Sequence, residues 1–148
     1  MDARPTDRWA TWAPSILSIV RIVAAYMFIL SGTPKLFGIP VPLPDGVTIT
    51  PFSQMWIGGV LEVYGGALLL LGLFTRPLAF IMSGMMAVAY WQFHAGPTPL
   101  YPTVNGGVPA VLYCFLWLYF SAAGAGPWSL DALVLGRRRT PEPTPATA

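Results

Sequence analysis

Apolar residues dominate four stretches of the chain, near positions 14–37, 52–75, 78–94 and 107–123, separated by polar, proline-rich segments. The second is the most continuous: from Phe52 to Phe74 it holds a single charged residue, Glu62. At about 1.5 Å of rise per residue it spans about 35 Å, enough to cross a hydrocarbon core of about 30 Å. The fourth stretch is the shortest. The pattern predicts an all-α membrane protein, a four-transmembrane-helix antiparallel bundle forming one domain over 1–136. A short interfacial helix is expected over 128–135, with Trp128, Leu130 and Leu133 as anchors. Pro14 falls in the first turn of the first helix, where its missing N–H is tolerated. The tight link Thr75-Arg76-Pro77 sets the second and third helices antiparallel. In the first loop, Pro44-Asp45-Gly46 is a turn signal and Val47-Thr48-Ile49-Thr50 alternates, which predicts a small β-hairpin. Residues 140–148 alternate Pro and Thr, and the tail 137–148 is expected to be disordered.

Composition agrees with that class. The 148 residues are 55% hydrophobic and only 9% charged, with a mean hydropathy of +0.60. Soluble domains carry about 25% charged residues. Basic residues outside the spans sit mainly on one side: Arg4, Arg8, Arg76 and the run 137–139, against Lys35 alone on the other. The positive-inside rule then places both termini in the cytoplasm and both proline-rich loops outside. The first apolar run ends without an A-x-A-like cleavage site, which argues against a secretory signal peptide. One cysteine, Cys114, excludes an intramolecular disulfide and CxxC chemistry. Cys, His and acidic residues are too scattered for a metal site. The only dense basic run adjoins a membrane helix, so nucleic acid is not an expected partner. The lipid bilayer is.

A carboxylate at mid-membrane is costly, from about 3 kcal/mol upward, so Glu62 is expected to face the interior and to have a partner. Gly58 and Gly66 flank it one turn away on the same face and leave room beside it. Counting from opposite membrane faces brings Arg21 of the first helix near the same depth. An Arg21–Glu62 pair is therefore predicted, serving as a structural staple, a headgroup anchor or a proton relay. Lys35 ends a face of the first helix that also carries Arg21, Ala25, Phe28 and Gly32. Tyr90 and His94 end a mildly polar stripe on the third helix, and Asn105 opens the fourth. Lys35, Tyr90, His94 and Asn105 are the candidate ligand-binding residues, and Glu62 and Arg21 the candidate catalytic ones. Each also has an ordinary structural role as anchor, cap or packing aromatic.

Several pieces together resemble the DoxX family of small four-helix membrane proteins. They are Arg21, Ser31-Gly32-x-x-Lys35-Leu36, Glu62 with Gly65-Gly66, and Leu69-Leu70-Leu71-Gly72-Leu73-x-Thr75-Arg76. Asn105-Gly106-Gly107-x-x-Ala110-x-Leu112 and Gly124-x-Gly126-x-x-Ser129-Leu130-Asp131 complete the ordered set. The resemblance implies a bacterial or archaeal inner-membrane protein. It also implies kinship with the membrane subunit of a thiosulfate:quinone oxidoreductase and with members of membrane-associated redox complexes. On that basis the chain is expected to be a subunit of a redox system that docks a quinone between its helices. It carries no covalently bound cofactor of its own and takes electrons from a redox protein partner. The alternative is a non-catalytic scaffold that recruits such a partner. A small-solute carrier is disfavoured by four short helices without an inverted repeat.

Overall fold

The computed structural model describes residues 5–44 and 46–137, with side chains described from 9 to 134 within that range. Arg4, Arg138, Arg139 and the tail from 138 onward, on which part of the charge argument and the expected disorder rest, lie outside the described residues. Those residues form five helices and no strand. Helix α1 is Pro5–Phe37. Helix α2 runs unbroken over Gln54–Leu71. Helix α3 is Thr75–Ala89 and continues through one π-helical turn, Tyr90–His94. Helix α4 is Val108–Ala123 and α5 is Leu130–Arg137. Two of them, α1 over Trp9–Phe37 and α2, are long and apolar enough to cross a membrane; α4 is apolar but shorter.

The boundaries differ from the sequence expectation for local reasons. Helix α1 starts before Pro14, so that proline lies within it. Near its other end Pro34 lacks the N–H that would bond the Leu30 carbonyl, and the Thr33 hydroxyl donates to that carbonyl instead, at 3.3 Å. Helix α2 stops at Leu71 because Gly72 takes a left-handed conformation, φ 68°, and the Leu73 N–H bonds back to the Leu68 carbonyl at 3.0 Å. The expected hairpin in the first loop is absent. The Pro44 carbonyl accepts from Val47 N–H and the Thr50 carbonyl from Ser53 N–H, so 47–50 lies between two turns instead of pairing.

The helices pack as two pairs. Helix α1 lies along the whole of α2, and α3 lies against α4. The α1–α2 contact is close because glycines meet there. A Cβ added at Gly32 would stand 2.8 Å from the Glu62 Cβ and 2.9 Å from the Gly59 carbonyl oxygen, and one at Gly66 would stand 2.8 Å from Ile29 Cγ1. Between the pairs, α2 and α3 meet over the half of α2 nearest their link, where Gly65 receives Met82. Toward the two long loops they part. Phe28 of α1 bridges to α4, with ring centroids 5.0 Å from Tyr113 and 5.4 Å from Trp117. With Ala25, Leu69, Met82 and Phe120 these form the buried centre. The outward side chains of α1 are apolar and exposed, Val23 by 56% and Met27 by 50%, as a lipid-facing surface requires.

Candidate functional site

At the end nearer the α2–α3 link, Arg21 is fully buried. Among the described residues its guanidinium reaches no carboxylate. Nε donates to the Ala125 carbonyl at 2.8 Å, Nη1 to the Leu69 and Leu70 carbonyls at 2.5 Å each, and Nη2 to the Trp128 carbonyl at 2.5 Å. Leu69 and Leu70 are among the last carbonyls of α2, at the negative end of the helix dipole, and Leu69 also accepts from Gly72 N–H at 3.1 Å. Arg21 thereby ties α1, the end of α2 and segment 124–129 together. Ser18, also buried, accepts from Trp128 N–H at 3.2 Å. Asp131 completes the closure, accepting from the N–H groups of Phe74 and Thr75 at 2.8 and 2.9 Å. Its own N–H donates to the Gly72 carbonyl at 2.9 Å.

The predicted Arg21–Glu62 pair is therefore incorrect. Arg21 lies level with Leu70, eight positions beyond Glu62, which is about 12 Å along the helix axis. The partner of Glu62 is Lys35. Its Nζ lies 2.7 and 2.6 Å from the two carboxylate oxygens. Side chains on a helix lean toward its N-terminus, so the long lysine stem reaches back from the end of α1 toward the level of Gly32, where Glu62 packs. Glu62 sits within a π-helical turn, Leu61–Gly65. Such turns are concentrated at functional sites, and the second one here, Tyr90–His94, faces the same region.

Where the two helix pairs part, they leave a cleft of about 510 Å³ lined by all four long helices. Its walls are apolar, from residues such as Phe28, Leu61, Met85, Met86 and Phe93. The polar groups among its lining are Ser31, Lys35, Gln54, Glu62, His94 and Tyr113. Gly58 also lines it, and a Cβ added there would meet nothing within 4 Å. Across one rim the side-chain amide of Gln54 donates to Gln92.

Of the candidates from sequence, Glu62, Lys35 and His94 come together at this cleft. Tyr90 and Asn105 stand behind it and shape the loop 95–107. The Tyr90 hydroxyl donates to the Pro99 carbonyl at 2.6 Å and accepts from Asn105 Nδ2 at 3.2 Å. Asn105 also donates to the Thr98 carbonyl and accepts from Gly107 N–H. His94 is held by the same residue, its Nδ1 lying 3.3 Å from the Asn105 carbonyl oxygen. Tyr113 and the Gln54–Gln92 bridge were not singled out as site features in the sequence. The signal for Tyr113 was its place in the inward stripe Ala110, Tyr113, Trp117 and Phe120 of α4, where it supplies the one hydroxyl. Among the described residues no group of three or more His, Cys, Asp or Glu is arranged to hold a metal ion.

Comparison with known proteins gives a consistent result. The family model for DoxX matches residues 16–95. An uncharacterized protein of Haemophilus influenzae is 46% identical over 122 residues, covering 81% of this chain and 91% of the relative. The inner membrane protein YphA of Escherichia coli is 28% identical over 125 residues, covering 80% of this chain and 89% of the relative. No solved structure matches significantly.

Proposed function

Since the chain belongs to the DoxX family of membrane proteins, we propose that it is a four-span subunit of a membrane redox system that docks a quinone, or a similar small apolar ligand, in the cleft between its helix pairs. On this reading α1 to α4 each cross the cytoplasmic membrane, both termini face the cytoplasm, and the loops 38–53 and 95–107 lie outside. Inner-membrane residence accords with the name of the Escherichia coli relative, the inner membrane protein YphA. The observation that carries the proposal is the Lys35–Glu62 pair standing in the wall of a largely apolar cleft of about 510 Å³. An apolar slot of that size with a few convergent polar groups is the usual form of a small-molecule site. Lys35 and Glu62 hold the polar head of the ligand, with His94 and Tyr113 at its other side. Methionine and phenylalanine walls receive its body, Met85 and Met86 adapting to its shape.

Arg21 falls outside this assignment. Its four carbonyl contacts account for its burial, so its proposed part is to close the end of the bundle that bears the α2–α3 link. Electrons come from a partner protein, because the ligand itself is the redox-active group and the chain contributes binding and proton-handling side chains. Mass spectrometry of lipids extracted from the purified protein tests the reading. An isoprenoid quinone retained at near-equimolar ratio, and lost in Glu62→Gln, supports it. Absence of any retained apolar ligand from the folded protein favours the scaffold role instead.

A further inference from the structure

The hydrogen bond behind His94 fixes what the ring offers to the cleft. Its Nδ1 faces the backbone carbonyl oxygen of Asn105 at 3.3 Å. A carbonyl oxygen only accepts, so Nδ1 carries the proton and, in the neutral ring, Nε2 is left as an acceptor. The ring is held in this pose on its other side by stacking on Tyr90, with centroids 6.4 Å apart. Tyr90 is in turn fixed by Pro99 and Asn105. His94 lines the cleft while Asn105 does not. Nε2 has no partner among the described residues and is not among their sealed, unpaired atoms.

Two other polar groups direct their donors to partners within the protein. Lys35 directs its ammonium at both oxygens of Glu62. Ser31 turns its proton away from the cleft, to the Met27 carbonyl. An acceptor facing an acceptor gains nothing and loses its water, whereas a hydroxyl satisfies Nε2.

We infer that the group the ligand presents to His94 is a hydroxyl, so that the cleft selects an apolar ring or chain bearing a hydroxyl over the corresponding carbonyl compound. This rests on the docking reading above and deepens it. If the ligand is a quinone-type ring, the favoured form is the reduced one, which donates where the oxidised one cannot. His94 acts as a specificity residue, accepting the hydroxyl proton in a hydrogen bond.

Three probes with one body separate the possibilities: a decyl-substituted para-benzoquinone, its hydroquinone, and the dimethyl ether of that hydroquinone. Binding to the purified full-length protein in nanodiscs is measured anaerobically by quenching of tryptophan fluorescence. The hydroquinone is expected to bind about tenfold more tightly than either of the others, the worth of one good hydrogen bond to a buried acceptor. His94→Ala is expected to remove that preference, and His94→Gln, which retains an acceptor, to restore part of it. Equal binding of all three probes, or preference for the quinone, overturns the inference and leaves the docking site standing. Binding of none of them overturns both. Discrimination among the probes by the unaltered protein decides the matter even where His94→Ala fails to fold.

Discussion

The ammonium of Lys35 lies within 2.7 Å of both carboxylate oxygens of Glu62, although the two residues approach from the same end of neighbouring helices and stand 27 positions apart. Glu62 is nearly sealed, its side chain 5% exposed, while Lys35 keeps 27%. Losing either partner strands the other. Lys35→Met is expected to destabilise the folded protein by about 3–5 kcal/mol, with the double substitution Lys35→Met/Glu62→Gln recovering much of the loss. Unfolding in detergent, taken through a full double-mutant cycle, reads the coupling. Arg21 and Glu62, by contrast, are expected to show coupling near zero, since Arg21 spans carbonyls about two helical turns away.

Gly32 is a point of close approach of α1 and α2. An alanine there places its Cβ against Glu62 Cβ and Val63 Cγ2, each at 2.8 Å. The neighbours are a side-chain stem and a branched methyl, not the free end of a flexible chain. Gly32→Ala is therefore expected to push the helices apart and cost about 1–3 kcal/mol. An alanine at Gly58, which meets nothing within 4 Å, should be neutral or slightly stabilising. Thermal unfolding of the two variants side by side distinguishes crowding from a general intolerance of glycine replacement.

The Arg21 contacts predict a local consequence. Arg21→Leu takes the guanidinium away from four carbonyls, of which Leu69 keeps the Gly72 N–H, and loosens the segment 124–129 from α1. A loss of at least about 3 kcal/mol is expected, with faster amide exchange concentrated in 124–134. Arg21→Lys should rescue only part of it, because a single ammonium cannot address carbonyls on three sides as the planar fork does. Uniform exchange across all helices would mean that Arg21 supports the bundle generally and not this closure.

Much of this was legible in the sequence, and the misses have physical causes. Glu62 had to be interior, because a carboxylate in a 23-residue apolar run has no other place. The glycines around it correctly signalled close approach, yet they serve three neighbours: Gly59 and Gly66 admit α1, Gly65 admits Met82, and Gly58 opens the cleft. No periodicity separates those roles. The partner was misassigned because depth was counted at Cα positions. Lys35 looks like an end-of-helix anchor on that count, and its reach back along the helix is invisible to it. The four-carbonyl cage of Arg21 was hidden for a different reason: half of it comes from Ala125 and Trp128, more than a hundred positions away. Asn105 and Tyr90 were placed near the site, and the structure makes them the frame that orients His94.

The proposed topology has its own check. In a Cys114→Ser background, a cysteine introduced at Gly46 lies in the loop 38–53 and is expected to react with an impermeant maleimide added outside spheroplasts. One introduced at Ala123, beside the link end, should react only after the membrane is opened. The reverse pattern would invert the orientation, and protection of both from either side would mean that these loops do not reach water.

The central claim is that the cleft beside Lys35 and Glu62 holds an apolar ligand, and Gly58 gives the most direct access to it. A leucine there starts from a Cβ that meets nothing within 4 Å and lies on the cleft wall, so filling the space and damaging the fold are separable. The decisive measurement is the amount of isoprenoid quinone, or other apolar ligand, extracted per molecule of purified parent protein and of Gly58→Leu. The parent is expected to retain about one ligand per chain, and Gly58→Leu to lose at least nine-tenths of it with an unchanged or slightly raised Tm. Equal retention by both proteins, or none by the parent, would contradict the account.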